Sequence, residues 1–267
     1  MRAKVVALIP ARYDSVRFPG KVLSELSGKP LIQWVWERAC QARTAREVAV
    51  ATDDDRVKEA VENFGGKVIM TSKDHQSGTD RLAEAVAFTT ADIIVNVQGD
   101  EPLIHPESID LAVHAILDEE DVRMTSLKKD ITDYREYTSP HVVKVVCNNQ
   151  EEALYFSRSP IPLYRDREEL LRKWEDTGKR PPDLMPPPYK HLGLYVYEVG
   201  FLSALTRIPV SELEKAEKLE QLRALAWGFR IKVITTPHDS ISVDTPEDLD
   251  RVKAILKSNP ALAKLSR

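Results

Sequence analysis

The chain has 267 residues, 42% of them hydrophobic and 30% charged, with a formal net charge of −4. That length and apolar content suit one large α/β domain or two small ones, and the balanced charge argues against a surface devoted to nucleic acid or to anionic membrane. No apolar run approaches the roughly 20 residues that span a bilayer, and Cys40 and Cys147 fit neither a disulfide framework nor a CxxC metal site, which gives a cytoplasmic expectation.

Val5-Val6-Ala7-Leu8-Ile9 follows a short basic start but stops at Pro10. It therefore reads as a buried first strand and not as a signal peptide. An amphipathic helix is expected over 30–42, with Cys40 on its apolar pattern as a core thiol. Next come a strand over 47–52 and a helix over 54–64, which Gly65-Gly66 stops because glycine accepts the left-handed turn. A strand over 67–70 leads to a helix over 78–88. Ser77-Gly78-Thr79 opens that helix, and Asp80 and Glu84 put negative charge early in it, where the helix dipole favours it. A strand over 92–97 completes the first half.

This alternation predicts an α/β fold with a mostly parallel sheet flanked by helices. Ligands in such sheets bind beyond the carboxyl ends of the strands, so the loops after Ile9, Thr52, Met70 and Val97 are the ones that matter. The second half is less regular. Strands are expected over 142–147 and 192–197 and an amphipathic helix over 212–227. Between them, 165–189 is charged and then proline-rich. Proline lacks an amide donor, so this excursion cannot join a central sheet and reads as a lid or part of an interface. A strand over 231–235, a loop, and a helix over 245–256 close the pattern. There are no repeats and no low-complexity stretch.

Three loops carry chemistry. The first, from Pro10 to Lys21, brings Arg12, Arg17 and Lys21 to the end of the first strand, with Pro19 and Gly20 shaping the turn. Guanidinium forks and an ammonium suit a polyphosphate, although a solvated basic loop explains the same charges from placement alone. Neither a GxGxxG fingerprint nor a GxxxxGK[ST] loop is present, which disfavours a nicotinamide oxidoreductase and a kinase of that type. The second loop ends a strand in Gln98-Gly99-Asp100-Glu101-Pro102, which reads either as hard oxygen donors for Mg2+ or as an acidic helix cap. The third is Val243-Asp244-Thr245-Pro246-Glu247-Asp248. Thr245 and Pro246 have a structural explanation as cap and first helical residue, which leaves Asp244 free to act as a second metal ligand.

In order along the chain, these motifs resemble the 3-deoxy-manno-octulosonate (KDO) cytidylyltransferases, also called CMP-KDO synthetases. The resemblance rests on Pro10-Ala11-Arg12 with Ser15, Arg17 and Pro19-Gly20-Lys21; Ala51-Thr52-Asp53; His75-Gln76-Ser77-Gly78-Thr79; and Asn96 to Pro102. It continues through Val143-Lys144-Val145-Val146, Tyr155-Phe156-Ser157-Arg158, His191-Leu192-Gly193, Leu219-Glu220-Gln221-Leu222-Arg223 and Val243 to Leu249.

The resemblance implies transfer of CMP from CTP to KDO for lipopolysaccharide synthesis, on a Rossmann-like nucleotidyltransferase fold of glycosyltransferase-A type, in a homodimer. It implies one domain over 1–267, with a nucleotide-binding part at about 1–130, a sugar-binding and dimerisation part at about 131–230, and a strand and helix returning to the core at about 231–256. By matching position, Arg12, Arg17 and Lys21 would hold the triphosphate, Pro10 and Ala11 would belong to the nucleotide site, and Asp100 and Asp244 would hold Mg2+. His75, Gln76, Ser77, Gly78, Thr79 and Arg81 would form the cytidine pocket. Gln98, Arg158, His191, Glu220 and Gln221 would face the sugar. Ser139, His141 and the long 165–189 stretch depart from the pattern and leave open a related sugar acid, an amino-KDO or a sialic acid. A non-catalytic CTP-binding regulator is the alternative of a different class.

Overall fold

The computed structural model describes residues 3–15, 17–75, 77–259 and 262. The first half runs β1 (Val5–Pro10), a 3-10 turn at Lys21–Leu23, β2 (Glu25–Leu26), β3 (Lys29–Pro30), α1 (Leu31–Ala39), β4 (Glu47–Thr52), α2 (Asp55–Asn63), β5 (Lys67–Met70), α3 (Gly78–Val86) and β6 (Ile93–Asn96). The second half begins with α4 (Pro106–Leu117), β7 (Met124–Asp130), α5 (Tyr134–Thr138), β8 (Lys144–Cys147), β9 (Ala153–Ser157) and α6 (Glu168–Thr177). It ends with β10 (Tyr189–Glu198), α7 (Val199–Leu205), α8 (Glu212–Glu217), α9 (Gln221–Ala226), β11 (Lys232–Thr235) and α10 (Pro246–Ser258).

The main sheet has the order β11-β7-β10-β6-β1-β4-β5, with β8 and β9 attached through β10. Strand β1 is parallel to β4 and β6, β4 is parallel to β5, and β7 is parallel to β11. Only β10 in this order runs the other way, antiparallel to both β6 and β7. The carboxyl ends of β1, β6 and β11 therefore lie along one edge, where the mostly parallel sheet expected from the sequence places a ligand.

Side chains alternate across each strand, so β1 feeds two cores. Val5, Ala7 and Ile9 pack with α1, α2, α4 and α10, while Val6 and Leu8 pack with α3, α7 and α9 on the opposite face. Burial of these runs supplies the main drive for folding.

Several expectations need correction. Helix α1 ends at Ala39, and Cys40, its C-cap, is exposed. The buried residues of α1 are Leu31, Ile32, Trp34, Val35 and Glu37 to Ala39, and Cys40 falls one turn after the less buried Trp36, on the outer side. The helix expected over 212–227 is two helices, because Lys218 adopts a left-handed φ of 55° and breaks it. The 165–189 excursion stays out of the sheet until β10 begins at Tyr189, but it is not featureless. It contains α6, whose Trp174 is buried among Ile131, Tyr137, Tyr164 and Leu184 and donates to Thr132 O at 2.9 Å. Arg180 grips the Asp130 carboxylate through Nη1 and Nη2, at 2.6 and 2.9 Å. Elements β2, β3, α4, β7, α5, β9 and α7 have no counterpart in the elements expected from the sequence.

Candidate active site

The loop after β1 turns at Gly20, whose φ of 70° is left-handed and where an added Cβ would sit 3.1 Å from the Tyr13 ring. This turn delivers Lys21 to the edge of the sheet. Asp100 follows β6 by way of Gly99, where a Cβ would come within 2.7 Å of Pro10 O, so the β1 and β6 loops touch because residue 99 has no side chain. Val243 N donates to Asp100 O at 2.9 Å and stitches the third loop to the second. Asp244 comes next. Thr245 caps α10 in a capping box with Asp248, with proline at the first turn, so the Asp244 carboxylate is free of capping duty. Asp100 caps no helix either, since α4 is capped by His105.

Three loops thus meet at one point. Lys21 Nζ donates to Asp100 Oδ2 at 2.5 Å and to Asp244 Oδ1 at 2.9 Å, and Arg17 Nη2 lies 2.9 Å from Asp244 Oδ2. Burial works against the charge on Lys21, but Asp100 and Asp244 outweigh it and the net shift of its pKa is upward. Burial likewise opposes the Asp244 carboxylate, and the bonds from Lys21 and Arg17 bring its pKa below the ordinary value.

Two cavities share this point. The smaller, of about 330 Å3, is lined by Pro10, Arg12, Lys21, Ser77, Gly78 and Asp100 among others. The larger, of about 750 Å3, is lined by Arg17, Thr79, Gln98, His191, Glu220, Gln221 and Asp244 among others. Gly78, Gln98 and Glu220 belong to both, so the cavities form one cleft.

On the smaller side Arg12 Nη2 donates to His75 O at 2.6 Å, and the His75 imidazole bonds Glu84. Ser77 caps α3 by accepting from Asp80 N at 3.1 Å, and Thr79 Oγ1 donates to Glu220 Oε2 at 2.6 Å. Ala11, His75 and Arg81 lie behind the lining. Arg81 is fully buried and its guanidinium is committed to Asp53, at 2.7 Å, and to Thr71. It is a support of the wall, not an open ligand. Gln76 lies outside the described residues.

On the larger side Gln98 Nε2 donates to Asn96 Oδ1 at 3.2 Å. His191 Nε2 meets Ser126 Oγ at 2.8 Å and its ring stands edge-on to Phe156. Burial drives the His191 pKa down to about 3, so it is neutral at physiological pH. The break at Lys218 turns Glu220 and the buried Gln221 toward the cavity, and Gln221 Nε2 has no partner among the described residues. Arg158 is not brought in. Its Nε donates to Glu217 O at 2.8 Å and its Nη1 to Pro140 O at 3.2 Å, outside the lining.

The cavity also contains polar groups to which the sequence reading assigned no site role of their own. Glu101 accepts from Ser240 Oγ at 2.6 Å, and burial, against that bond, pushes its pKa up to about 7. Lys190, next to His191, bonds Glu136 at 2.6 Å and Asp239 at 2.8 Å. Glu101 was visible as the second carboxylate of the Asp100-Glu101 pair, whereas Lys190 had no signal beyond its place next to His191. Among the described residues one trio of possible metal ligands comes within 4.8 Å, namely His105, Glu107 and His238. Its two imidazoles stack in parallel at 3.4 Å, so their lone pairs run side by side and do not converge on an ion.

An α/β sheet with fixed cations and two carboxylates at its ligand edge is the arrangement that nucleotidyl transfer uses. A family profile described as cytidylyltransferase matches residues 6–231. The chain is 52% identical over 253 residues to a 3-deoxy-manno-octulosonate cytidylyltransferase of Geobacter sulfurreducens, covering 95% of this chain and 99% of that protein. It is 54% identical over 256 residues to the protein of the same description in Geobacter metallireducens, covering 93% and 96%. A solved structure of CMP:2-keto-3-deoxy-manno-octonic acid synthetase complexed with CTP superposes with a TM-score of 0.86 at 42% identity, covering 96% of this chain and 99% of that one. The chain belongs to the 3-deoxy-manno-octulosonate cytidylyltransferase family. The 4-diphosphocytidyl-2C-methyl-D-erythritol synthase of Anaerococcus prevotii, at 13% identity and a TM-score of 0.58 over 96% of this chain and 99% of that one, shares the fold. Among the described residues no helix is long and apolar enough to cross a membrane.

Proposed function

We propose that this chain joins the CMP of CTP to KDO and releases pyrophosphate. The observation that carries the reading is the convergence of Lys21, Arg17, Asp100 and Asp244 where the two cavities meet. The smaller cavity takes the nucleotide and the larger takes the sugar. The anomeric hydroxyl oxygen of the sugar forms a bond to the α-phosphorus as the bond from that phosphorus to the bridging oxygen breaks. Pyrophosphate leaves with the electron pair, and the hydroxyl proton passes to water.

The donor set fits a divalent cation. Two hard carboxylates from separate loops already face one positive charge, as Mg2+ sites shared with phosphates require. Bound by Asp100 and Asp244, Mg2+ would offset the charge on the phosphates. Arg12, Arg17 and Lys21 hold the triphosphate and neutralise the departing pyrophosphate. Gln98, the neutral His191, Glu220 and Gln221 fix the sugar through its hydroxyls, and the unpartnered Gln221 amide offers a donor for that purpose. No covalent nucleophile is needed. The exposed Leu163 and Met185, 83% and 66% accessible, supply apolar surface for a homodimer contact, in keeping with the family expectation.

Competition among acidic sugars tests the substrate. Pyrophosphate release with CTP and Mg2+ is expected to prefer KDO over an amino-substituted KDO and over sialic acid. Preference for one of the others would keep the chemistry and reassign the sugar. CTP binding with no release for any acidic sugar would favour the regulator.

A further inference from the structure

Lys144 opens β8 with 0% of its surface exposed. Among the described residues no carboxylate lies within ion-pair reach of it. Its ammonium donates instead to three main-chain carbonyls, Ser139 O at 2.8 Å, Val142 O at 2.7 Å and Arg158 O at 2.5 Å. An ammonium has three N–H donors, and all three are used.

The carbonyls belong to two separate stretches. Ser139 and Val142 bracket the loop whose His141, Val142 and Val143 line the larger cavity. Arg158 follows β9. Its side chain reaches back to Pro140 O at 3.2 Å and across to Glu217 O at 2.8 Å, while the Glu217 carboxylate accepts from Arg158 N at 2.9 Å and from Ser157 Oγ at 2.6 Å. Lys218, Leu219, Glu220 and Gln221, which follow Glu217, line the same cavity. Two stretches of cavity wall therefore hang on one web with Lys144 at its knot. A buried charge without a counter-charge is expensive, and a methionine would fill the same space at less cost.

We infer that Lys144 is a positioning residue for the acidic sugar, its ammonium holding the 139–143 loop and the Arg158 turn together as the sugar-side wall. This rests on the sugar reading of the larger cavity. Burial, with help from Arg158 and opposed by Glu217, brings the Lys144 pKa down to about 8. Of the other charged or titratable groups nearby, Lys190 in β10 pairs in register with Lys144 and is itself held by Glu136 and Asp239, His141 lies on the loop that Lys144 holds, and the neutral His191, one residue after Lys190, sits on the opposite face of the sheet against Phe156. Losing the proton leaves two donors for three carbonyls and removes the charge from the bonds that remain.

The test is the pH dependence of the two Michaelis constants, read by pyrophosphate release. Between pH 7 and pH 9 the KM for the acidic sugar is expected to rise about tenfold, on the scale of one buried acceptor left unpaired. The KM for CTP, bound on the other side of the cleft, stays within about twofold. Lys144→Arg, charged throughout, abolishes the alkaline rise; Lys144→Met fixes the sugar KM at the high value at every pH. A flat sugar KM in the unaltered chain, a rise that survives in Lys144→Arg, or a parallel rise in the KM for CTP would overturn the assignment. If neither variant folds, the unaltered chain's two profiles decide by the same criteria. Turnover at pH 7 is established first, and its absence counts against the proposed function and not against Lys144.

Discussion

Lys21 concentrates the logic of the site in one side chain. Its ammonium stands between two carboxylates that would repel one another without a cation between them, at 2.5 and 2.9 Å. Lys21→Ala leaves the fold in place and is expected to lower kcat/KM for CTP by about 100-fold or more, the scale of one lost charge contact to a reacting phosphate; steady-state kinetics at saturating sugar checks this. His191 gives a residue-scale prediction for stability. Its folded pKa of about 3 lies below the ordinary 6.5. The unfolded chain therefore binds a proton in that window that the native chain does not, and stability falls as the pH drops from about 6.5 toward 3. His191→Gln should flatten this part of the melting-temperature profile, and an unchanged acid slope would contradict the burial argument. At this scale the basic loop and both aspartates were legible, because charges at a strand end have few structural uses. Arg158 and Arg81 were not, because a sequence does not reveal that a guanidinium is already spent on Glu217 O and Pro140 O, or on Asp53.

At the scale of elements, strands β4 and β5 were readable to the residue, since short apolar runs bounded by charge or glycine have one plausible use in an α/β chain. Strand β7 was not. It buries Thr125, Ser126 and Lys128, whose polarity hides a central strand until their partners are known: Ala112 O at 2.7 Å for Thr125, and Val233 O at 2.6 Å for Lys128. The break between α8 and α9 was also hidden, because a lysine in a left-handed conformation has no sequence signature. Cap chemistry was plain. Thr245→Ala removes both the cap of α10 and the anchor beside Asp244. It is expected to cost about 1 kcal/mol of stability, measured by denaturant titration, together with a loss of activity larger than that destabilisation explains. Gly99→Ala would set a methyl carbon 2.7 Å from Pro10 O and push the β1 and β6 loops apart. The expected result is a folded chain with turnover reduced at least about tenfold, because misplacement of about 1 Å is enough to break reacting geometry.

For the molecule as a whole, the reversal of β10 within the order β11-β7-β10-β6-β1-β4-β5 leaves the carboxyl ends of β1, β6 and β11 on one edge while β10 itself supplies His191 to the same cleft. Residues as distant in sequence as Lys21 and Asp244 meet there, and each cavity takes one substrate in the proposed reaction. The central claim is that Asp100 and Asp244 together form the catalytic cation site. The direct measurement is the rate of KDO-dependent pyrophosphate release from CTP by Asp100→Asn and by Asp244→Asn, each verified as folded by its melting curve. Each amide keeps the shape but loses the charge that a divalent ion demands, so turnover should fall by about 1,000-fold or more in both. Near-normal release by either folded variant would contradict the assignment of that carboxylate and the two-carboxylate site built on it.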